Sequence, residues 1–90
     1  MMKRAKKIKF TEHALIKRDI LKLHGFLVET STLEGIIKSP EKVETGYKNR
    51  KIAQKRISPT HVLRVVYEEI GEEIKIVTFY PGKRERYEKD

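Results

Sequence analysis

The spacing of apolar residues changes at Ser39-Pro40, and that change constrains the fold more than any other feature of the chain. Before it, apolar side chains recur every three to four residues, the period of a helix; after it they alternate, the period of a strand. Thr11 is placed to cap a helix over Glu12 to His24, with Glu12 in the positive first turn. Ile16, Ile20 and Leu23 fall at helical spacing, with Ala14 and Leu21 beside them and Lys17, Arg18 and Lys22 on the other faces. His24-Gly25 supplies the stop. Phe26-Leu27-Val28 leads to a second helix, where Ser31 and Glu34 have capping-box spacing and Leu33, Ile36 and Ile37 make one apolar face. It ends at Ser39, since the residue before a proline avoids helical angles. Ahead of both helices, Ile8-Lys9-Phe10-Thr11 reads as a short strand or an extended lead-in.

Past Pro40 the chain reads as four strands: Val43 to Tyr47, Lys51 to Ile57, His61 to Glu69 and Glu72 to Tyr80. Lys48-Asn49-Arg50, Ser58-Pro59-Thr60 and Ile70-Gly71 are the turns between them, and Pro81-Gly82 is expected to stop the last. Strict alternation puts Ile74, Ile76, Thr78 and Tyr80 on one side of that strand and Lys75, Val77 and Phe79 on the other. The last two strands are apolar on both faces, so they belong at the centre. The Lys51–Ile57 strand carries Lys51, Gln54, Lys55 and Arg56, so at least one of its faces should be open. Short connections make the meander antiparallel. The expected fold is one α+β domain over 1–90, with two N-terminal helices packed on a four-stranded antiparallel sheet, a basic arm at 1–7 and a charged tail at 83–90.

The net charge of +8 is unevenly distributed. Residues 1–28 hold eight basic and two acidic residues, and residues 45–66 hold six basic and none acidic, so each segment carries +6. The remainder is slightly negative. Charge concentrated in this way favours a polyanion. With no cysteine there is neither a disulfide nor a thiolate metal site. No apolar run has the length of a bilayer span or follows the basic N-terminus as in a signal peptide. The expectation is a cytoplasmic protein.

Motifs for nucleotide binding, for a serine nucleophile and for metal ligation are missing: His13, His24 and His61 are far apart in sequence. Neither a metal nor a cofactor is expected. RNA brings its own nucleophile, the 2′-hydroxyl, so a metal-free site of Arg, Lys, His and Tyr could cleave it. Arg64 lies in the apolar run Val62-Leu63-Arg64-Val65-Val66, where a charge must be paired or face a cleft. It is either a phosphate clamp or the partner of a glutamate on a neighbouring strand. Lys55 on the adjacent strand, His13 in the first turn, Tyr80 at a strand end and Tyr87 in the tail are the other candidates for catalysis. Arg18, Lys48, Arg50, Lys51, Arg56, Arg84 and Arg86 are candidates for backbone contacts, which need charge more than geometry.

Phe10-Thr11-Glu12-His13-Ala14 followed by Arg18 resembles the F-[ST]-x-H-A-x-x-R opening of a domain of unknown function grouped with the RelE/ParE-like toxins. Ile37 to Val43, Leu63-Arg64-Val65-Val66-Tyr67 and Ile76 to Pro81 are similar to that family's entry to the sheet and its two core strands. The resemblance implies a helices-then-sheet fold and a messenger-RNA nuclease, acting on the ribosome or on free RNA. It would place Lys55, Arg64, Arg84 or Arg86, and Tyr87 at the positions of the basic and tyrosine residues RelE-like nucleases use. His13 belongs to the closer family and departs from the RelE pattern. Leu21 to Phe26 stands where the opening motif usually has a second Arg and Gly-Ile. The expected function is that of a toxin in a toxin–antitoxin pair, a metal-independent endoribonuclease held by a small acidic antitoxin. The alternatives are a non-catalytic module binding RNA or an acidic protein, and a ParE-like inhibitor of a DNA-handling enzyme.

Overall fold

A computed structural model describes residues 6–88; most of the basic arm, residues 1–5, and the last two residues of the tail lie outside the described residues. The chain is α+β, as its period change requires. It runs β1 (Lys7–Phe10), α1 (Glu12–Leu23), α2 (Thr30–Lys38), β2 (Lys42–Thr45), β3 (Lys51–Arg56), β4 (His61–Ile70), β5 (Glu73–Lys83) and α3 (Arg84–Tyr87). The sheet has five strands in the order β1-β5-β4-β3-β2. The expected four-strand meander is present as β2 to β5. The lead-in adds a fifth strand, parallel to β5 with Ile8 opposite Ile74 and Phe10 opposite Ile76, so the sheet is mixed. A four-residue strand survives at this edge because α1 follows it at once and packs on β5.

Both ends of α1 are built as the residues dictate. The Thr11 hydroxyl accepts from the Ala14 N–H at 3.1 Å. Gly25 takes a positive φ of 81°, with Gly25 N–H donating to the Lys22 carbonyl and Phe26 N–H to the Leu21 carbonyl. This is the bond pair of a Schellman stop, closed by Phe26 and Leu21 packing on the core. The face of α1 is a correction: Ile16 and Ile20 are each 49% exposed and Leu23 is 85% exposed, while Ala14 is buried. The helix docks through Ala14 and Leu21, not through its most apolar stripe. α2 also departs from expectation. It begins at Thr30 with Glu29 at the cap and no side-chain cap bond, so Ser31 lies within the first turn.

Between the two helices and the sheet lies the core: Ala14, Val28, Leu33 and Ile36 against Ala53, Leu63, Val65, Tyr67, Ile74, Ile76 and Phe79. One irregularity decides what lies on the other face. Val66 and Tyr67 of β4 face Thr78 and Ile76 of β5, leaving Val77 without a partner. This bulge shifts the alternation by one. Phe79 therefore enters the core, and Tyr80 stands opposite Arg64 on the face away from the helices, contrary to the strict alternation expected. Thr11 secures the bulge, its N–H donating to the Ile76 carbonyl and its hydroxyl to the Val77 carbonyl at 2.8 Å.

Three further boundaries move. β5 continues through Pro81-Gly82 to Lys83. Beyond Ile76 its outer edge has no partner strand, since β1 ends at Phe10, and a proline is tolerated at an unpaired edge. The tail then folds as α3 across the second face, so close to β5 that a Cβ on Gly82 would collide with the Tyr87 ring. β2 stops at Thr45, and Tyr47–Asn49 form a tight turn with left-handed φ of 58° at Lys48 and 63° at Asn49. Two such residues give the twist that a hairpin needs, at a cost of about 1 kcal/mol or more for the lysine. Finally, β3 is closed at its centre on both sides, with Ala53 under the helices and Gln54 buried beneath the second face.

Candidate functional site on the second face of the sheet

Arg64 is the organising residue of this face, and it is 5% exposed. Cross-strand register sets Gln54 of β3 and Tyr80 of β5 on either side of it. Its Nε donates to the Tyr80 hydroxyl at 3.0 Å, its Nη1 to the Gln54 amide oxygen, and its Nη2 to Glu44 Oε1 at 2.7 Å. Glu44 reaches it from β2, two strands away, with its side chain 41% exposed. The ring of Tyr87 lies over the guanidinium, 4.3 Å from ring centre to Cζ, an attraction between a cation and a ring face. Tyr80 and Tyr87 meet edge to face at 6.4 Å.

The backbone of α3 is tied down by the same group of residues. The Tyr87 carbonyl accepts from Gln54 Nε2 at 3.2 Å and from Lys42 Nζ at 3.3 Å. Glu88 receives Arg56 Nε at 2.6 Å and Arg84 Nε at 2.8 Å. The hydrogen bond from Arg64 is the main cause holding the Glu44 carboxyl below its ordinary range, with Lys42 adding to it. Glu44 is therefore ionised at neutral pH and beside a buried cation. Desolvation opposes the charge on Arg64, but its bonds to Tyr80 and Glu44 together outweigh that cost, and it stays charged.

Of the five residues singled out for catalysis, the fold brings Arg64, Tyr80 and Tyr87 together. Lys55 pairs with Leu63 and so lies on the helix-packed side; Arg64 and Lys55 do not form one clamp. His13 is exposed in the first turn of α1. It stands one turn before Lys17, whose Nζ lies 5.9 Å from the Tyr80 ring centre, and no bond joins His13 to the Arg64 group. Of the two readings of Arg64, the glutamate pair is formed.

Most cations expected to contact a nucleic-acid backbone are also paired. Arg18 bonds Asp19 at 3.1 Å, Arg50 approaches Glu68 at 3.7 Å, Lys51 bonds Glu69 at 2.5 Å, and Arg56 and Arg84 share Glu88. Lys48 and Arg86 have no carboxylate partner among the described residues. The stretch from Tyr47 to Val66 lacks acids in sequence but meets Glu44, Glu68, Glu69 and Glu88 in space. Beside α3, a cleft of about 660 Å³ is lined by Thr60, His61, Lys83, Arg84, Glu85 and Glu88. His61 is oriented by the Thr60 hydroxyl, 2.8 Å from its Nδ1.

Sequence reasoning missed Glu44, Gln54, Lys42 and His61. A signal existed for the first: a buried arginine requires a carboxylate, and Glu44 is the acid of β2. Among the described residues, no group of three or more His, Asp or Glu side chains could hold a metal ion, and no helix is long and apolar enough to cross a membrane. The chain matches no family model, no curated protein and no solved structure.

Proposed function

We propose that the protein is a toxin-like, RNA-directed protein of the RelE/ParE kind, and that the second face of its sheet is the working surface. One observation carries this reading: Arg64, Tyr80 and Tyr87, each singled out for RNA chemistry and separated by up to 23 residues in sequence (87 − 64), meet at one point with a carboxylate. The reaction is metal-independent transesterification. Glu44 takes the proton of a 2′-hydroxyl, which attacks the neighbouring phosphorus. Arg64 neutralises charge developing on the phosphate oxygens. The bond from phosphorus to the 5′-oxygen breaks, and Tyr80 or Tyr87 returns a proton to that leaving oxygen. The products carry a cyclic phosphate and a 5′-hydroxyl.

The Arg64–Glu44 pair must open for this, each partner exchanging the other for a group on the RNA. The free protein thus stores its catalytic charges against one another. A small acidic antitoxin is the natural partner of such a surface, because the protein as a whole carries +8.

The test is incubation of purified protein with single-stranded RNA in a chelator, reading the product ends by mass spectrometry. Cyclic phosphate ends are expected, with Glu44→Gln lowering the rate by roughly 100-fold or more and induced expression arresting growth. Equal cleavage by Glu44→Gln and Arg64→Lys would remove this assignment. The completed bonding of Arg64 favours a second reading, a non-catalytic binder of RNA or of an acidic protein. Intact RNA with strongly salt-dependent binding is its signature. Inhibition of DNA supercoiling with RNA left intact would point instead to a ParE-like target.

A further inference from the structure

Tyr47 is 82% exposed at the tip of the β2–β3 hairpin, although the core of this small protein has few aromatic side chains. The tip is held firmly around it. Gly46 N–H donates to the Arg50 carbonyl at 2.5 Å, and Arg50 N–H donates back to the Tyr47 carbonyl at 3.2 Å. Lys48 and Asn49 both take left-handed angles, a conformation that few residues adopt without cause. Lys48 folds its Nζ over the Tyr47 ring, 5.6 Å from the centre, and is the cation of this tip without a carboxylate partner among the described residues. The result is an aromatic ring on a hydrogen-bonded turn, beside a cation and open to solvent.

A ring in that setting suits an unpaired base, because every base has a π-face and a neighbouring cation serves its phosphate. A duplex offers its bases only at its ends and does not fit an isolated ring. Gln54, the neighbour of Arg64, lies three positions along the strand from Lys51, roughly 10 Å, with the tip beyond. A single strand crossing the second face at Arg64 would reach Tyr47 a few nucleotides along. We propose that the β2–β3 tip is a stacking platform for an unpaired base of single-stranded RNA, with Lys48 carrying an adjoining phosphate. This rests on the second face being the RNA surface and adds to it a separate binding site, the aromatic ring at the β2–β3 tip.

Fluorescence anisotropy with a labelled eight-nucleotide single-stranded RNA tests this, using the full chain in a Glu44→Gln background to slow turnover. Tyr47→Ala is expected to weaken binding by about 10-fold, while Tyr47→Phe stays within about twofold because the ring is kept. The salt dependence should be unchanged in Tyr47→Ala and shallower by about one ion in Lys48→Ala. Circular dichroism confirms that the variants are folded. Wild-type affinity in Tyr47→Ala overturns the platform and leaves the RNA surface standing. Equal affinity for a blunt duplex overturns the single-strand preference. If the Glu44→Gln protein binds no RNA, both the platform and the RNA surface fall.

Discussion

The guanidinium carbon of Arg64 stands 4.3 Å from the centre of the Tyr87 ring, so the last helical residue of the tail is the lid of the most buried charge among the described residues. A desolvated cation over a ring is worth about 1–2 kcal/mol. Tyr87→Ala should therefore destabilise the fold by about 2 kcal/mol, counting the ring area uncovered, whereas Tyr87→Phe keeps the contact and changes little. Gly82→Ala should approach the Tyr87→Ala loss, since its new methyl occupies the space of that ring. Urea unfolding of the three variants checks all of this. A stable Gly82→Ala protein would mean that Tyr87 is not seated there.

Arg64 and Glu44 form a pair with one buried and one half-exposed member. Removing the arginine takes a donor from the Gln54 amide oxygen, the Tyr80 hydroxyl and Glu44 Oε1 at once, and Arg64→Ala should cost about 3 kcal/mol. Glu44→Gln keeps an acceptor for Nη2 and should cost about 1 kcal/mol. A double-mutant cycle on Arg64→Ala and Glu44→Ala should give a coupling of about 1–2 kcal/mol. Additive losses would show that the two side chains do not interact in solution.

Acid should weaken the fold in a defined window. Hydrogen bonds from Lys51 and then Lys6 draw the Glu69 carboxyl from 4.5 down to about 2, and Glu44, Glu73 and Glu88 are lowered in the same direction by Arg64, Lys9 and Arg56 respectively. A carboxyl with a depressed folded pKa contributes stability above its unfolded value and loses it as pH falls toward its folded value. The melting temperature should be level near neutrality and decline from about pH 4.5 toward 2. Glu69 is partly exposed, so solvent screening reduces its share to about 1 kcal/mol. Glu69→Gln should lower stability at pH 7 and reduce the acid decline by that amount.

The orientation of α1 gives opposite expectations for neighbouring residues. Leu21→Ala removes a core contact and should cost about 2 kcal/mol, while Leu23→Ala on the open side should stay within about 0.5 kcal/mol. Chemical denaturation separates them. The reverse ranking would restore the docking face that Ile16, Ile20 and Leu23 suggest.

Period and caps made much of the fold legible. The Thr11 cap, the Gly25 stop, the Pro40 boundary and the central place of β4 and β5 all follow from local residue chemistry. What was hidden depended on tertiary choices. Helical spacing cannot tell which of two apolar arcs of α1 meets the sheet, and it is Ala14 with Leu21 that reaches the core. Ile74 to Tyr80 accommodates strict alternation as well as a bulge at Val77, yet that bulge decides whether Tyr80 meets Arg64. Pro81 looked like a terminator because its edge position could not be known. For the site, Arg64 stood out as a charge in an apolar strand. Glu44 did not, because its partner lies two strands away and twenty residues on (64 − 44).

Chemical-shift mapping of the ¹⁵N-labelled Glu44→Gln protein with a short single-stranded RNA locates the RNA surface residue by residue. Shifts are expected to centre on Gln54, Arg64, Tyr80 and Tyr87, extending to Tyr47 and sparing Ile36 and Leu33 on the helix side. Shifts confined to α1 and α2, or none at saturating RNA, would contradict that surface.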